Sequence, residues 1–174
     1  MAAQTFLDRV AGKLKQITAI LTSAGAADSG KIAGLDAGGR FDLSFMPTGL
    51  GPETITLPTS ENLAAGDIVN IYDAAGAATA RKADASAASL GKTAHGFVIA
   101  ATTSPANAVV YMPSQQDAQV TGLTPGVEYY LSDTPGGVTA APGPTTSGHA
   151  SQLVGIASAT GNLLFNPEPA VQLA

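Results

Sequence analysis

Cysteine is absent from this chain of 174 residues, so neither a disulfide framework nor a thiolate zinc site is open to it. Tryptophan is absent too, and aromatic residues make up 5%, which leaves little surface on which sugar rings could stack. Positive charge is scarce and unevenly placed. From Met1 to Ser60 five basic residues balance five acids; from Glu61 onward three basic residues face eight acids, and no Lys or Arg follows Lys92. A nucleic-acid binder needs cations to displace phosphate counterions, so no nucleic-acid partner is expected. Apolar runs long enough to span a bilayer are missing, as is a basic segment followed by an apolar run and a small-residue cleavage site. The expectation is a soluble protein made in the cytoplasm, with no membrane partner.

The motifs of chemistry are also lacking. Two histidines, His95 and His149, cannot supply the three or four ligands of a zinc site. No Gly-x-Ser-x-Gly elbow, phosphate-binding Gly-x-x-x-x-Gly-Lys loop or Gly-x-Gly-x-x-Gly fingerprint occurs. Asp67, Asp73, Glu128 and Asp133 could converge as a carboxylate pair for glycoside cleavage, but their places beside glycines mark them as turn acids. Asp36-Ala37-Gly38-Gly39 lacks the alternating acids and terminal Glu of a calcium loop, and is read as a turn before a short strand. No catalysis, cofactor or metal is expected.

What is present is small and flexible: 20 Gly and 11 Pro on a background of Ala, Thr and Ser. Little apolar area per residue makes an isolated monomer only marginally stable, and association with copies of itself is a natural remedy. Residues 1–25 are expected to hold one α-helix over Thr5 to Ala24, with Thr5 as cap, Asp8 in the first turn and Gly25 as stop. Its apolar residues, Leu7, Val10, Leu14, Ile17 and Leu21, are spaced 3, 4, 3, 4 like a coiled-coil seam, and are read as an oligomer seam. The competing reading is an amphipathic helix lying on its own domain.

Residues 26–58 show no sustained period and read as an extended arm. Ile32, Leu35, Phe41, Phe45 and Met46 are its apolar anchors, which would be costly left in water, so the arm is expected to lie on a surface.

Residues 59–174 read as mainly β, a small antiparallel sandwich or barrel. Candidate strands, the first of them still within the arm, are Ile55–Leu57, Ile68–Tyr72, Thr79–Lys82, His95–Ala101, Ala108–Met112, Glu128–Leu131, Val138–Ala140, Leu153–Ala157 and Leu163–Phe165, separated by Gly, Pro and Asp turns. The Ala/Ser-rich Ala83–Ser89 is read as a loop. A pseudo-repeat divides the domain into 59–118 and 119–174. Laying Leu63–Ala80 over Leu123–Ala140 without a gap, six of eighteen positions coincide, among them Leu63/Leu123, Gly66/Gly126, Asp73/Asp133 and Gly76/Gly136. Such turns are also easily reinvented, so chance matching stays an alternative.

The stretch Leu63-Ala64-Ala65-Gly66-Asp67-Ile68-Val69-Asn70-Ile71-Tyr72, with Ala80-Arg81-Lys82-Ala83-Asp84-Ala85 and Ala94-His95-Gly96-Phe97-Val98, resembles the β domain of tailed-bacteriophage capsid decoration, or cement, proteins. The segments Gly122–Ser132 and Pro135–Thr139 are similar to β modules of phage head and tail fibres, and Gly34–Asp42 through Met46-Pro47 looks like a joint of phage structural proteins. The resemblance implies a homotrimer on the capsid exterior of a virion, with the major capsid protein as partner, stabilising the shell without catalysis. A head or tail fibre or spike component is the alternative it leaves open; a carbohydrate-binding module is the reading from another class.

Overall fold

The structure, a computed structural model, describes residues 5–46, 51–86 and 91–174. Ala87–Ser89 of the expected loop, and Pro47 of the arm motif, lie outside the described residues. The chain divides into two units, Met1–Gly51 and Pro52–Ala174. Among the described residues there is no α-helix, and no helix long and apolar enough to cross a membrane.

The helix expected over Thr5–Ala24 is replaced by a hairpin. Strands β1 (Thr5–Val10) and β2 (Lys13–Thr18) pair antiparallel, Thr5 against Thr18 through Val10 against Lys13. The cause sits at Ala11-Gly12, where φ is +52° and +79°. Two successive positive φ values make the two-residue turn whose twist matches that of flanking strands, and no helix accommodates them. Gly12 also costs a helix about 1 kcal/mol relative to Ala, while Thr5, Phe6, Ile17 and Thr18 favour extended backbone. The seam is therefore split. Leu7 and Leu14 share one face with Arg9 and Gln16; Ile17 faces the other way, opposite Phe6; Leu21 lies beyond the hairpin.

After the hairpin the chain doubles back. The Ile20 N–H donates to the Ile32 carbonyl at 2.9 Å and Gly34 N–H to the Ile20 carbonyl at 2.8 Å, which tacks the start of the arm onto residues 19–21. Asp36 closes the expected turn by accepting from the Gly38 and Arg40 amides at 2.8 and 2.9 Å. No strand follows it. Asp42 instead accepts from the Ser44 amide and caps a single 3-10 turn, Leu43–Phe45.

The second unit holds two antiparallel five-stranded sheets. The first is ordered β3-β7-β6-β4-β5, with β3 Thr54–Pro58, β4 Ile68–Ala74, β5 Ala77–Lys82, β6 Gly96–Val98 and β7 Asn107–Tyr111. The second is ordered β8-β13-β12-β9-β10, with β8 Gln115–Asp117, β9 Glu128–Leu131, β10 Val138–Ala140, β12 Leu153–Ala159 and β13 Asn162–Phe165. A short pair, β11 (Ala150–Ser151) with β14 (Val171–Gln172), completes the unit. All nine strands read from the sequence are present. Thr54–Pro58, counted there with the arm, is an edge strand of the first sheet.

The two sheets repeat one another strand for strand: β3, β4, β5, β6 and β7 correspond to β8, β9, β10, β12 and β13, with the same neighbours throughout. The backbone repeats as well. Gly66 N–H donates to Val98 at 2.7 Å as Gly126 does to Ala157 at 2.8 Å; Val98 donates to Asp67 as Ala157 does to Val127; Leu63 pairs with Thr102 as Leu123 does with Thr160. Both turn glycines, Gly66 and Gly126, have positive φ, +85° and +80°. Chance coincidence of turns would not carry strand order and hydrogen bonding with it.

Neither sheet closes into a barrel. The first curls until Ser60 donates to the Ala80 carbonyl at 3.1 Å, and encloses Leu57, Leu63, Val69, Ala80, Val98, Ala108 and Val110. Its opposite face carries the row Ile68, Phe97 and Tyr111, which packs onto Leu131, Val154, Leu163 and Phe165 of the second sheet. Phe97 stacks on Tyr111 and meets Phe165 edge-on, both at 5.4 Å between ring centres. The result is a sandwich with one core inside the first sheet and one between the sheets.

Candidate functional site

The residues expected to form a seam and an arm all fall in the first unit. Leu7 and Leu14 are 73% and 74% exposed, and Ile32, Leu35, Phe41 and Met46 are exposed as well. Phe45 is half-buried and meets Phe41 edge-on at 6.1 Å. Among the described residues of this unit only Ala19 and Gly34 are buried. A two-stranded hairpin is marginal in water, and one this bare of cover presents apolar surface to any partner. Two of its acids are engaged by neighbouring residues. The Asp28 carboxylate accepts from the Ala24 amide at 2.5 Å and from Lys31 at 2.6 Å, which lowers its pKa, and the Ser44 hydroxyl and amide do the same for Asp42.

The second unit carries a groove of about 670 Å³. Ile71 on β4, Thr93 to His95 leading into β6, and Met112-Pro113 after β7 form one wall, and Pro167 to Ala170 form the other. Gln152 crosses its floor, accepting from the Ala94 amide at 2.7 Å and donating to the Glu168 carbonyl at 2.9 Å. His95, read from the sequence as the first residue of a strand, lies in this groove immediately before β6. Its Nδ1 accepts from the Ile71 amide at 3.0 Å, so the remaining proton is on Nε2, which lies 3.2 Å from the Thr93 hydroxyl. Burial lowers its pKa below the ordinary histidine value. Protonating Nδ1 would also set two N–H donors face to face. With both nitrogens engaged, the ring offers neither a metal lone pair nor a free base. Beside it, buried Asn70 donates to the Thr93 carbonyl at 2.8 Å and accepts from Arg81 Nε at 2.9 Å, while the Arg81 guanidinium stacks 4.1 Å over Tyr72.

His149 pairs with Asp133 through Nδ1 at 2.9 Å. A polar hollow of about 210 Å³ adjoins Asp133, lined by Ser132, Thr139, Thr145 and Thr146. The remaining acids are not gathered. Asp67 immediately precedes β4 and Asp73 is its sixth residue, about 20 Å further along an extended strand. Asp67 accepts from the Ala64 amide at 2.7 Å and meets Lys82 at 3.0 Å; Asp73 accepts from the Gly76 amide at 2.7 Å. Among the described residues no group of three His, Asp or Glu could hold a metal ion.

One acid escaped the sequence reading. Asp117, on β8, is fully buried; Oδ1 accepts from the Gln119 amide at 2.9 Å and Oδ2 has no partner. Burial pushes its pKa up to about 6, and the nearby Asp67 charge adds to the rise. In the register of the two sheets it stands where the first has Ile55. Gln115-Gln116-Asp117 has no apolar alternation, so nothing in the sequence marked it as a strand or as interior.

Comparison with protein-family models, curated proteins and solved structures finds no match for the chain.

Proposed function

We propose that this chain is a structural virion protein that binds the outer surface of an assembled phage capsid as a trimer and stabilises the shell. The observation that carries the reading is the contrast between the two units. Of the fifteen exposed large apolar side chains among the described residues, nine fall between Phe6 and Met46, in the unit with almost no core of its own. A segment of that kind gains stability by association, with copies of itself or with a capsid subunit. The second unit has its own cores and is fit to be displayed. The β-domain resemblance at Leu63–Tyr72 and Ala94–Val98 points the same way. Decoration acts by mass action: a protein that binds the assembled lattice and not its separated subunits raises the free energy of disassembly by an amount set by affinity and concentration.

Purified protein added to undecorated capsids should bind in a fixed ratio to capsid subunits and raise the shell's melting temperature. Phe41→Asp with Met46→Asp should abolish binding and leave the β signature of the second unit in circular dichroism unchanged. Absence of binding, or wild-type binding by the double variant, overturns the reading. The same separation of an attachment segment from a displayed domain also suits a head or tail fibre component. Electron microscopy of labelled protein on virions decides between them, since a fibre component would sit at one vertex or on the tail and not over the shell.

A further inference from the structure

The internal repeat exposes a surface that its twin covers. Across the first sheet the row Ala83, Ile68, Phe97, Tyr111, Thr54 runs from β5 to β3, and its apolar members are packed against the second sheet. The corresponding row of the second sheet is Ala141, Glu128, Ile156, Leu164, Gln116. The correspondence is fixed at its end by the Ala83 amide bonding to Ile68 at 2.9 Å, matched by Ala141 to Glu128 at 3.1 Å. Here, among the described residues of this unit, no strand packs on the row, and only the Gln116 amide reaches over it, donating to the Ser158 hydroxyl at 3.3 Å: Ile156 is 44% and Leu164 49% exposed. They are direct cross-strand partners, so they form one apolar patch, widened by half-buried Tyr130 and Leu153, which pair on the same face.

We infer that this face of the second sheet, centred on Ile156 and Leu164, is an interface with the same face of a second copy. The chemistry of the row selects that occupant. Its order is polar, apolar, apolar, polar: Glu128, Ile156, Leu164, Gln116. A two-fold axis parallel to the strands, passing between β12 and β13, sets Ile156 on Leu164 of the other copy and Glu128 on its Gln116. Both apolar residues are then covered, and a carboxylate meets an amide donor instead of a second carboxylate. The sheets would lie face to face at the usual spacing of about 10 Å. The patch is small beside the roughly 1,000 Å² of a stable dimer, so the contact is weak and depends on concentration. It is independent of the capsid reading.

Sedimentation velocity of the full chain over a concentration series should show a reversible step that doubles the mass, whatever oligomer the first unit forms. Ile156→Asp should weaken that step at least tenfold, and Ile156→Thr, which keeps a strand-favouring side chain, by less. Val109→Asp, at an equally exposed site on the first sheet, should leave it unchanged. Because the chain has no cysteine, the geometry can be read directly. Ile156→Cys mixed with Leu164→Cys should cross-link to each other on mild oxidation faster than either does to itself. No doubling of mass, doubling that survives Ile156→Asp, or preferential cross-linking within each single variant would overturn the inference.

Discussion

The first sheet buries residues on both faces, while the second turns one face to solvent, although the two share strand order, register and turn hydrogen bonds. At corresponding positions on one outward row stand Phe97, fully buried, and Ile156, 44% exposed. At another pair of corresponding positions stand Ile55, 41% exposed, and Asp117, fully buried. The backbone plan was kept and the side chains went separate ways, because burial is decided by what packs on a face and not by the strand that carries it. The repeat is thus a statement about the chain's path, and each copy's chemistry must be read separately.

The strongest test of the shared plan is at the glycines of β6 and β12. A Cβ on Gly96 would lie 2.5 Å from a Val110 methyl and 2.6 Å from the Tyr111 carbonyl oxygen; one on Gly155 would run into the Leu164 carbonyl. In both sheets the neighbouring strand comes too close for any side chain. Gly96→Ala and Gly155→Ala should each destabilise the protein by about 3 kcal/mol or fail to fold, as urea unfolding would show. Tolerance at one glycine alone would break the equivalence at this position.

Next in size is the outward row. Phe97→Ala removes a ring packed on Tyr111 and Phe165 and should cost about 3–5 kcal/mol. Ile156→Ala, at the corresponding site, should cost under about 1 kcal/mol at concentrations where the chain does not pair through this face. Equal losses would mean that the second sheet's outer face is covered within the chain.

Much of this plan was legible. Period-two patterns bounded by Gly, Pro and Asp located nine strands, because a half-buried strand needs alternation and a tight turn needs those residues. The spacing of Leu63, Gly66 and Asp73 against Leu123, Gly126 and Asp133 located the repeat; the second hairpin is two residues shorter, so Gly136 stands where the first sheet has Ala78 and not at Gly76. Failures came where spacing is ambiguous. Leu7, Val10, Leu14, Ile17 and Leu21 fit a heptad, yet two six-residue strands joined at Ala11-Gly12 carry the same residues. The hint was Gly12 midway between equal runs rich in β-formers. Short strands without apolar alternation, β8, β11 and β14, left no trace. Asp117, hidden from sequence by the same lack of pattern, owes its burial to contacts that only the folded chain makes.

The two sheets should also answer pH with opposite sign. Asp117 belongs to the second. Its folded pKa of about 6 exceeds the ordinary 3.8, so the folded state holds the proton more tightly. Its penalty is present in full above about pH 6 and is relieved as pH falls toward 4. His95 belongs to the first. Its folded pKa is lowered from 6.5, so its contribution is present above pH 6.5 and is lost as pH falls through the folded value. Asp117→Asn should stabilise the protein at pH 8 by about 1–2 kcal/mol and leave only the loss on acidification due to His95 and other groups. Thermal unfolding from pH 4 to 8 measures both, and a stability profile unchanged by Asp117→Asn would show that the carboxyl is solvated.

The smallest effect lies at the ion pair between Lys82 and Asp67, for which the second sheet has no counterpart: Val127 stands where the first has Asp67, and Ala140 where it has Lys82. The pair is 3.0 Å long with both side chains partly exposed, so its direct worth is small. Lys82→Met keeps the apolar stem and should cost about 0.5 kcal/mol at low salt, less at high salt as screening grows. A second consequence reaches across to the other sheet. Without Lys82 the Asp67 charge acts on Asp117 uncompensated, so the Asp117 titration should move further upward, visible as a steeper rise in stability between pH 8 and 5. Loss of stability without any change in that slope would mean that Lys82 matters as packing, and that the two acids do not feel one another.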